Sequence, residues 1–136
     1  MMKLLSRPIG IALAITLCTG TASLADPARD ALLAGYEKAA GQPLSADRGE
    51  AFFRASHQGG KAATPACTTC HTTDPKSAGR TRAGKVIEPM AVSVNPKRFV
   101  DPAFVEKWFG RNCNSVLGRD CTALEKGDVI TWLSSL

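Results

Sequence analysis

A chain of 136 residues has room for one small domain, and its 17 basic and 12 acidic side chains leave a modest positive excess. A balance that mild argues against a nucleic-acid binder. No apolar run reaches the roughly 20 residues that a membrane-spanning helix needs.

The N-terminus reads as an export leader. Lys3 and Arg7 precede an apolar stretch over residues 9–18, and Ala22-Ser23-Leu24-Ala25 puts small residues at the two positions a signal peptidase reads. Bulky Leu17 before Cys18 argues against a lipoprotein start. Residues 1–25 are therefore expected to be a signal peptide and residues 26–136 the mature domain, with a periplasmic destination. Removing 25 residues, Lys3 and Arg7 among them, leaves 111 residues with a net charge of +3.

Four helices are expected, with no internal repeat and no convincing alternating strand. The first follows Pro27, places Leu32, Leu33, Tyr36 and Ala40 near one face, and stops at Gly41-Gln42-Pro43. The second starts after Ser45 as N-cap, carries Gly49, Phe52 and Phe53 at i, i+3 and i+4, and ends at Gly59-Gly60. Residues 61–98 are rich in Gly, Pro, Thr and Ser and read as loop, apart from one turn. The third helix opens with Asp101 and Pro102, with Val105, Trp108 and Phe109 as its apolar stripe. The fourth opens with the capping box Thr122-Ala123-Leu124-Glu125, followed by Val129, Trp132, Leu133 and Leu136. The expected class is all-α, with helices wrapped around a cofactor.

That cofactor is announced by Cys67-Thr68-Thr69-Cys70-His71. On one helical turn, residues three apart lie on the same side, so both thiols can add to the two vinyl groups of one porphyrin. The histidine that follows then reaches the iron from the proximal face. One covalent haem c is the expectation, held by Cys67 and Cys70 with His71 as axial ligand. A thioredoxin-like pair would want a βαβ context, which is absent. A four-cysteine zinc site would want a second close pair, and seven residues separate Cys113 from Cys121. Those two cysteines are an even number in an exported chain, and a disulfide is their default reading. In a domain this small, buried surface is limited, and both the haem and the disulfide would help to stabilise it.

Three residues are candidates for the opposite side of the iron. Met90 is the conventional electron-transfer ligand, or else a loop methionine against the haem edge. His57 would give a bis-histidine site but reads better as a solvated helix-end residue. Asn112, placed at the end of the third helix just before Cys113, reads by itself as a C-capping asparagine. Spacing alone favours Met90.

Across nearly the whole mature chain the sequence resembles the sphaeroides haem protein family of class I cytochromes c. The resemblance is carried by Leu33-Ala34-Gly35-Tyr36-Glu37 and by Thr64-Pro65-Ala66 leading into the haem motif. Most specific is Val105-Glu106-Lys107-Trp108-Phe109-Gly110-Arg111-Asn112-Cys113, continuing as Asn114-Ser115-Val116-Leu117-Gly118-Arg119-Asp120-Cys121-Thr122. The resemblance implies a class I cytochrome c fold, a Cys113–Cys121 bond, and Asn112 as the ligand of ferric iron. It also implies a distal site that opens on reduction and takes oxygen or nitric oxide, and a dihaem cytochrome c or a membrane cytochrome b as redox partner. Met90 departs from the family pattern and keeps a His71/Met90 pair as the alternative. The implied chemistry is reasonable, because a hard, neutral amide oxygen suits ferric iron better than ferrous iron.

Three functions follow: a monohaem electron carrier with a redox-opened site for small diatomic ligands, a plain His/Met electron shuttle, and a reductase of a small nitrogen or oxygen species. A reductase needs acid–base groups over the iron, and the sequence offers only Asn112 and nearby arginines. An electron-transfer and ligand-binding monomer is therefore expected in preference to an enzyme. Lys61, Arg80, Arg82, Lys85, Lys97, Arg98, Lys107, Arg111 and Arg119 could steer an acidic partner or form an ordinary solvated surface.

Overall fold

The computed structural model describes residues 25–136. The signal-peptide expectation lies, but for Ala25, outside them. Five helices and one short ribbon follow in order: α1 (Pro27–Ala40), α2 (Ala46–Arg54), α3 (Thr68–His71), β1 (Gly79–Arg80), β2 (Val86–Ile87), α4 (Pro102–Leu117) and α5 (Ala123–Ser135).

The helix starts are local chemistry. Asp26 accepts from the backbone N–H groups of Ala28 and Arg29, Ser45 from that of Arg48, and Asp101 from that of Phe104. Each satisfies donors that the first turn leaves free. The capping box of α5 forms in full: Thr122 takes the Glu125 N–H, and Glu125 takes the Thr122 N–H. Gly41 and Gly118 end α1 and α4 in the left-handed conformation, at φ 68° and 70°.

α5 is the centre of the molecule, with Gly127, Asp128, Val129, Ile130, Trp132 and Leu133 all buried. α2 crosses it so closely that a Cβ on Gly49 would stand 2.0 Å from the Asp128 carbonyl oxygen. Buried Asp128 secures the crossing by accepting from Ser45 N at 2.6 Å and Arg48 Nε at 2.7 Å. Tyr36, Phe53, Val92, Phe99 and Val105 complete the core against Val129, Ile130, Trp132 and Leu133.

Four expectations are corrected. α2 ends at Arg54 rather than at Gly59-Gly60, because the chain turns out at Ala55 and the His57 N–H bonds Pro65 O at 2.7 Å. Thr81 and Lys85 close a two-residue antiparallel ribbon in the stretch read as loop, with Gly79 opposite Ile87 and Arg80 opposite Val86. Trp108 leaves the apolar stripe of α4 for the surface, at 39 % exposure, while Val105, Cys113 and Val116 are buried. Asn112 is no C-cap: α4 runs on to Leu117 and Gly118 caps it, so Asn112 lies inside the helix.

Candidate haem site

The helices enclose a mostly apolar cleft of about 740 Å³, counted with its open mouth. Phe52 and Phe53 of α2, Phe99 in the loop before α4, Phe109 and Val116 of α4, and Val129 of α5 supply its walls. Cys67, Cys70 and His71 stand on one side as the helical turn α3, where the N–H groups of Cys70 and His71 both bond Cys67 O, at 3.3 and 3.1 Å. β1 buttresses this turn: a Cβ on Gly79 would be 2.1 Å from the Cys70 carbonyl oxygen.

The electrostatics of the turn suit a bound metal porphyrin. Neither Cys67 nor Cys70 is in a disulfide, so both sulfurs are available to a vinyl group, and burial pushes the Cys67 thiol up to about 11. Burial, with the positive charge of Arg98 adding to it, pushes the His71 imidazole down to about 4. It is therefore neutral, the form that binds a metal. Its Nδ1 is buried and has no hydrogen-bond partner among the described residues. An unpaired buried ring nitrogen costs about 1–3 kcal/mol. Such a histidine, beside two cysteines outside any disulfide at the rim of an apolar cleft, fits a haem held by two thioethers.

Of the three distal candidates, Met90 and Asn112 both line this cleft. His57 does not: its Nε2 donates to Phe52 O at 2.9 Å and its ring lies 4.7 Å from that of Phe52, closing the C-terminus of α2. The Asn112 side chain makes no hydrogen bond among the described residues. Its helix is held in place around it. The adjacent Cys113 is bonded to Cys121, with a Cα–Cα distance of 5.6 Å. Ser115 O accepts from Lys61 N at 2.7 Å and from Thr64 Oγ1 at 3.1 Å. Gly118 abuts Gly59 so closely that a Cβ would lie 2.1 Å from Gly59 O.

Sequence reasoning missed Arg29 and read Arg98 only as a steering or surface cation, whereas both shape the other wall. Arg29, buried on α1, donates to Pro96 O at 2.6 Å and Arg98 O at 3.1 Å. Arg98 in turn donates to Pro89 O at 2.8 Å and to Glu88 O. The two thereby position the backbone that carries Met90 and Phe99. Phe99 sits at φ 63°, unusual for a bulky side chain, and strain of this kind costs about 1–3 kcal/mol. No motif marks these residues, since their partners are distant backbone carbonyls.

Residues 39–133 match the family described as a domain of unknown function (DUF1924). The chain is 55 % identical over 116 residues to the cytochrome c-type protein SHP of Cereibacter sphaeroides, covering 85 % of this chain and 90 % of that one. The solved structure of oxidised SHP, described as an oxygen-binding cytochrome c, superposes with a TM-score of 0.77 at 56 % identity, covering 79 % of this chain and 96 % of that one. The solution structure of cytochrome c'' from Methylophilus methylotrophus, a study of haem-ligand detachment, gives 0.65 at 33 % identity, covering 79 % and 93 %. A helical fold around an apolar cleft, a Cys-x-x-Cys-His turn at its rim and these likenesses together show that the chain belongs to the family of c-type cytochromes that includes SHP, proteins with covalently bound haem c.

Proposed function

We propose that this protein is a periplasmic monohaem cytochrome that transfers electrons and opens a distal site to small diatomic ligands, oxygen or nitric oxide, when reduced. Cys67 and Cys70 hold the haem, His71 is the proximal ligand, and Asn112 is the distal ligand of the oxidised state. Bound haem supplies a one-electron couple and an axial position. The observation that carries the reading is Asn112: an amide inside a fixed helix, lining the cleft, with no hydrogen bond among the described residues. Its oxygen is a weak, hard donor that favours the oxidised metal and is readily given up by the reduced one. The clamp on α4 keeps the side chain near for return, which lowers the ordering entropy of rebinding. SHP is described as oxygen-binding and the cytochrome c'' structure as a study of haem-ligand detachment, and both support the same behaviour. A dihaem cytochrome c or a membrane cytochrome b is the proposed electron partner.

The second reading, a His71/Met90 shuttle, rests on Met90 lining the same cleft. A reductase is less well supported, because the other polar side chains lining the cleft are the hydroxyls of Thr64 and Ser115, engaged with each other at 2.9 Å. Absorption spectra separate the first two. We expect ferric protein without the long-wavelength band of methionine ligation, and high-spin ferrous protein that binds carbon monoxide quickly. Asn112→Ala opens the ferric site to water or azide, and Met90→Leu changes little. If Met90→Leu alone abolishes low-spin ferric haem, the protein is an ordinary shuttle.

A further inference from the structure

The outward face of α4 is unlike the rest of the helix. Phe104, Lys107, Trp108 and Arg111 stand at i, i+3, i+4 and i+7, which places them side by side. Phe104 is 51 % exposed and Trp108 39 %. Their rings lie 6.0 Å apart, and the Arg111 guanidinium sits 5.4 Å over the Trp108 ring. Lys107 and Arg111 make no ion pair among the described residues. The acidic side chains of the helix are engaged elsewhere: Glu106 pairs with Lys126 at 2.7 Å and accepts from the Tyr36 hydroxyl, and Asp101 caps the first turn. The face therefore presents an aromatic centre flanked by two unneutralised positive charges.

We infer that this face docks the electron-exchange partner, a redox protein with acidic side chains around an apolar spot. Tryptophan and arginine are the side chains that most often dominate protein interfaces. The charge calls for an acidic counterpart and rules against a second copy of this chain, which would set Lys107 and Arg111 against their own like across a symmetric contact. A lipid surface is a poor match. An interfacial helix buries its broad apolar stripe, and the stripe of α4, Val105, Cys113 and Val116, faces inward. The position is right for electron exchange: Trp108 lies one turn before Asn112 on the same i, i+4 row of α4, and Phe109 and Asn112 line the cleft. A partner seated here is separated from the haem by a single helix. The inference rests on the reading that the cleft holds the haem.

Stopped-flow reduction of the ferric holoprotein by flavodoxin hydroquinone, an acidic donor, tests it. One electron passes from the flavin, leaving flavodoxin semiquinone and ferrous haem. At low salt, Lys107→Glu with Arg111→Glu slows this reaction at least about tenfold and removes its salt dependence, the scale of electrostatic steering. Trp108→Ala slows it at all salt concentrations. A neutral small-molecule hydroquinone reduces every variant at the wild-type rate. The same charge reversal on the ribbon, Arg80→Glu with Arg82→Glu, leaves the flavodoxin rate within about twofold. Equal slowing by the ribbon reversal, or no slowing by the α4 reversal, overturns the proposal. So does binding of wild type but not variant to phosphatidylserine vesicles with unchanged flavodoxin rates, or a dimer that the reversal dissolves. Carbon monoxide binding by the ferrous protein is unaffected in these variants. Its absence in the wild type counts against the open-site reading alone.

Discussion

Tyr36 sits where α1, α4 and α5 meet. Its hydroxyl donates to Glu106, and the Lys126 ammonium lies 5.9 Å from its ring centroid. Burial pushes the phenol far above its ordinary range, and the hydrogen bond and charge of Glu106 push it further. An acid whose folded pKa is raised keeps its proton in the folded state after the unfolded state has lost it. Its contribution to stability is therefore full below about 10 and declines as pH rises beyond that. The chain has one tyrosine, so tyrosinate absorbance reports Tyr36 alone. We expect no tyrosinate until the protein unfolds in alkali. Reversible ionisation near pH ~10 in folded protein would show that the phenol is solvated.

α4 is the element on which the site depends. Its inner face supplies Phe109, Asn112 and Val116 to the cleft, and its C-terminal half is tied down twice. One tie is the Cys113–Cys121 bond. The other is the loop over residues 59–64, where a Cβ on Gly60 would lie 2.4 Å from Ser115 O. Cys113→Ser with Cys121→Ser is expected to lower the unfolding free energy by about 2–3 kcal/mol, from the entropy of a short closed loop. If Asn112 is the ferric ligand, the same variant also shows more high-spin ferric haem, because the clamp is loosened. Denaturant titration and ferric spectra read the two effects. Thiol labelling of the unfolded, unreduced wild type finds neither cysteine free, and two labelled thiols would refute the bond.

At the scale of the whole molecule, a chain of this size gains from a covalent cofactor that fills the space between its helices. The exported protein is expected to have the mass of residues 26–136 plus one haem. Cys67→Ala with Cys70→Ala leaves no haem on a denaturing gel stained for haem peroxidase activity. A mass that still includes residues 1–25 rejects the leader, and retained covalent haem rejects the attachment.

The legible parts were those governed by neighbours in the chain. Ser45, Asp101 and Thr122 start helices because a side-chain oxygen reaches an amide three residues on, and Cys67, Cys70 and His71 share a turn because of helical spacing. Spacing alone read Asn112 as a cap; the family resemblance pointed it at the iron, and the structure shows it inside α4 and lining the cleft. Tertiary structure decided the rest, since each outcome depends on groups far apart in sequence. α2 stops early because His57 meets Pro65 and Phe52. Gly49 and Gly79 are required by backbones that arrive from residues 128 and 70. Arg29 is buried because it binds carbonyls near residue 97, and Trp108 is exposed because the cleft takes Phe109 and Asn112 instead. Local hydrogen bonding and helical period specify where elements begin and which residues share a face; only packing decides which face turns inward and what it meets there.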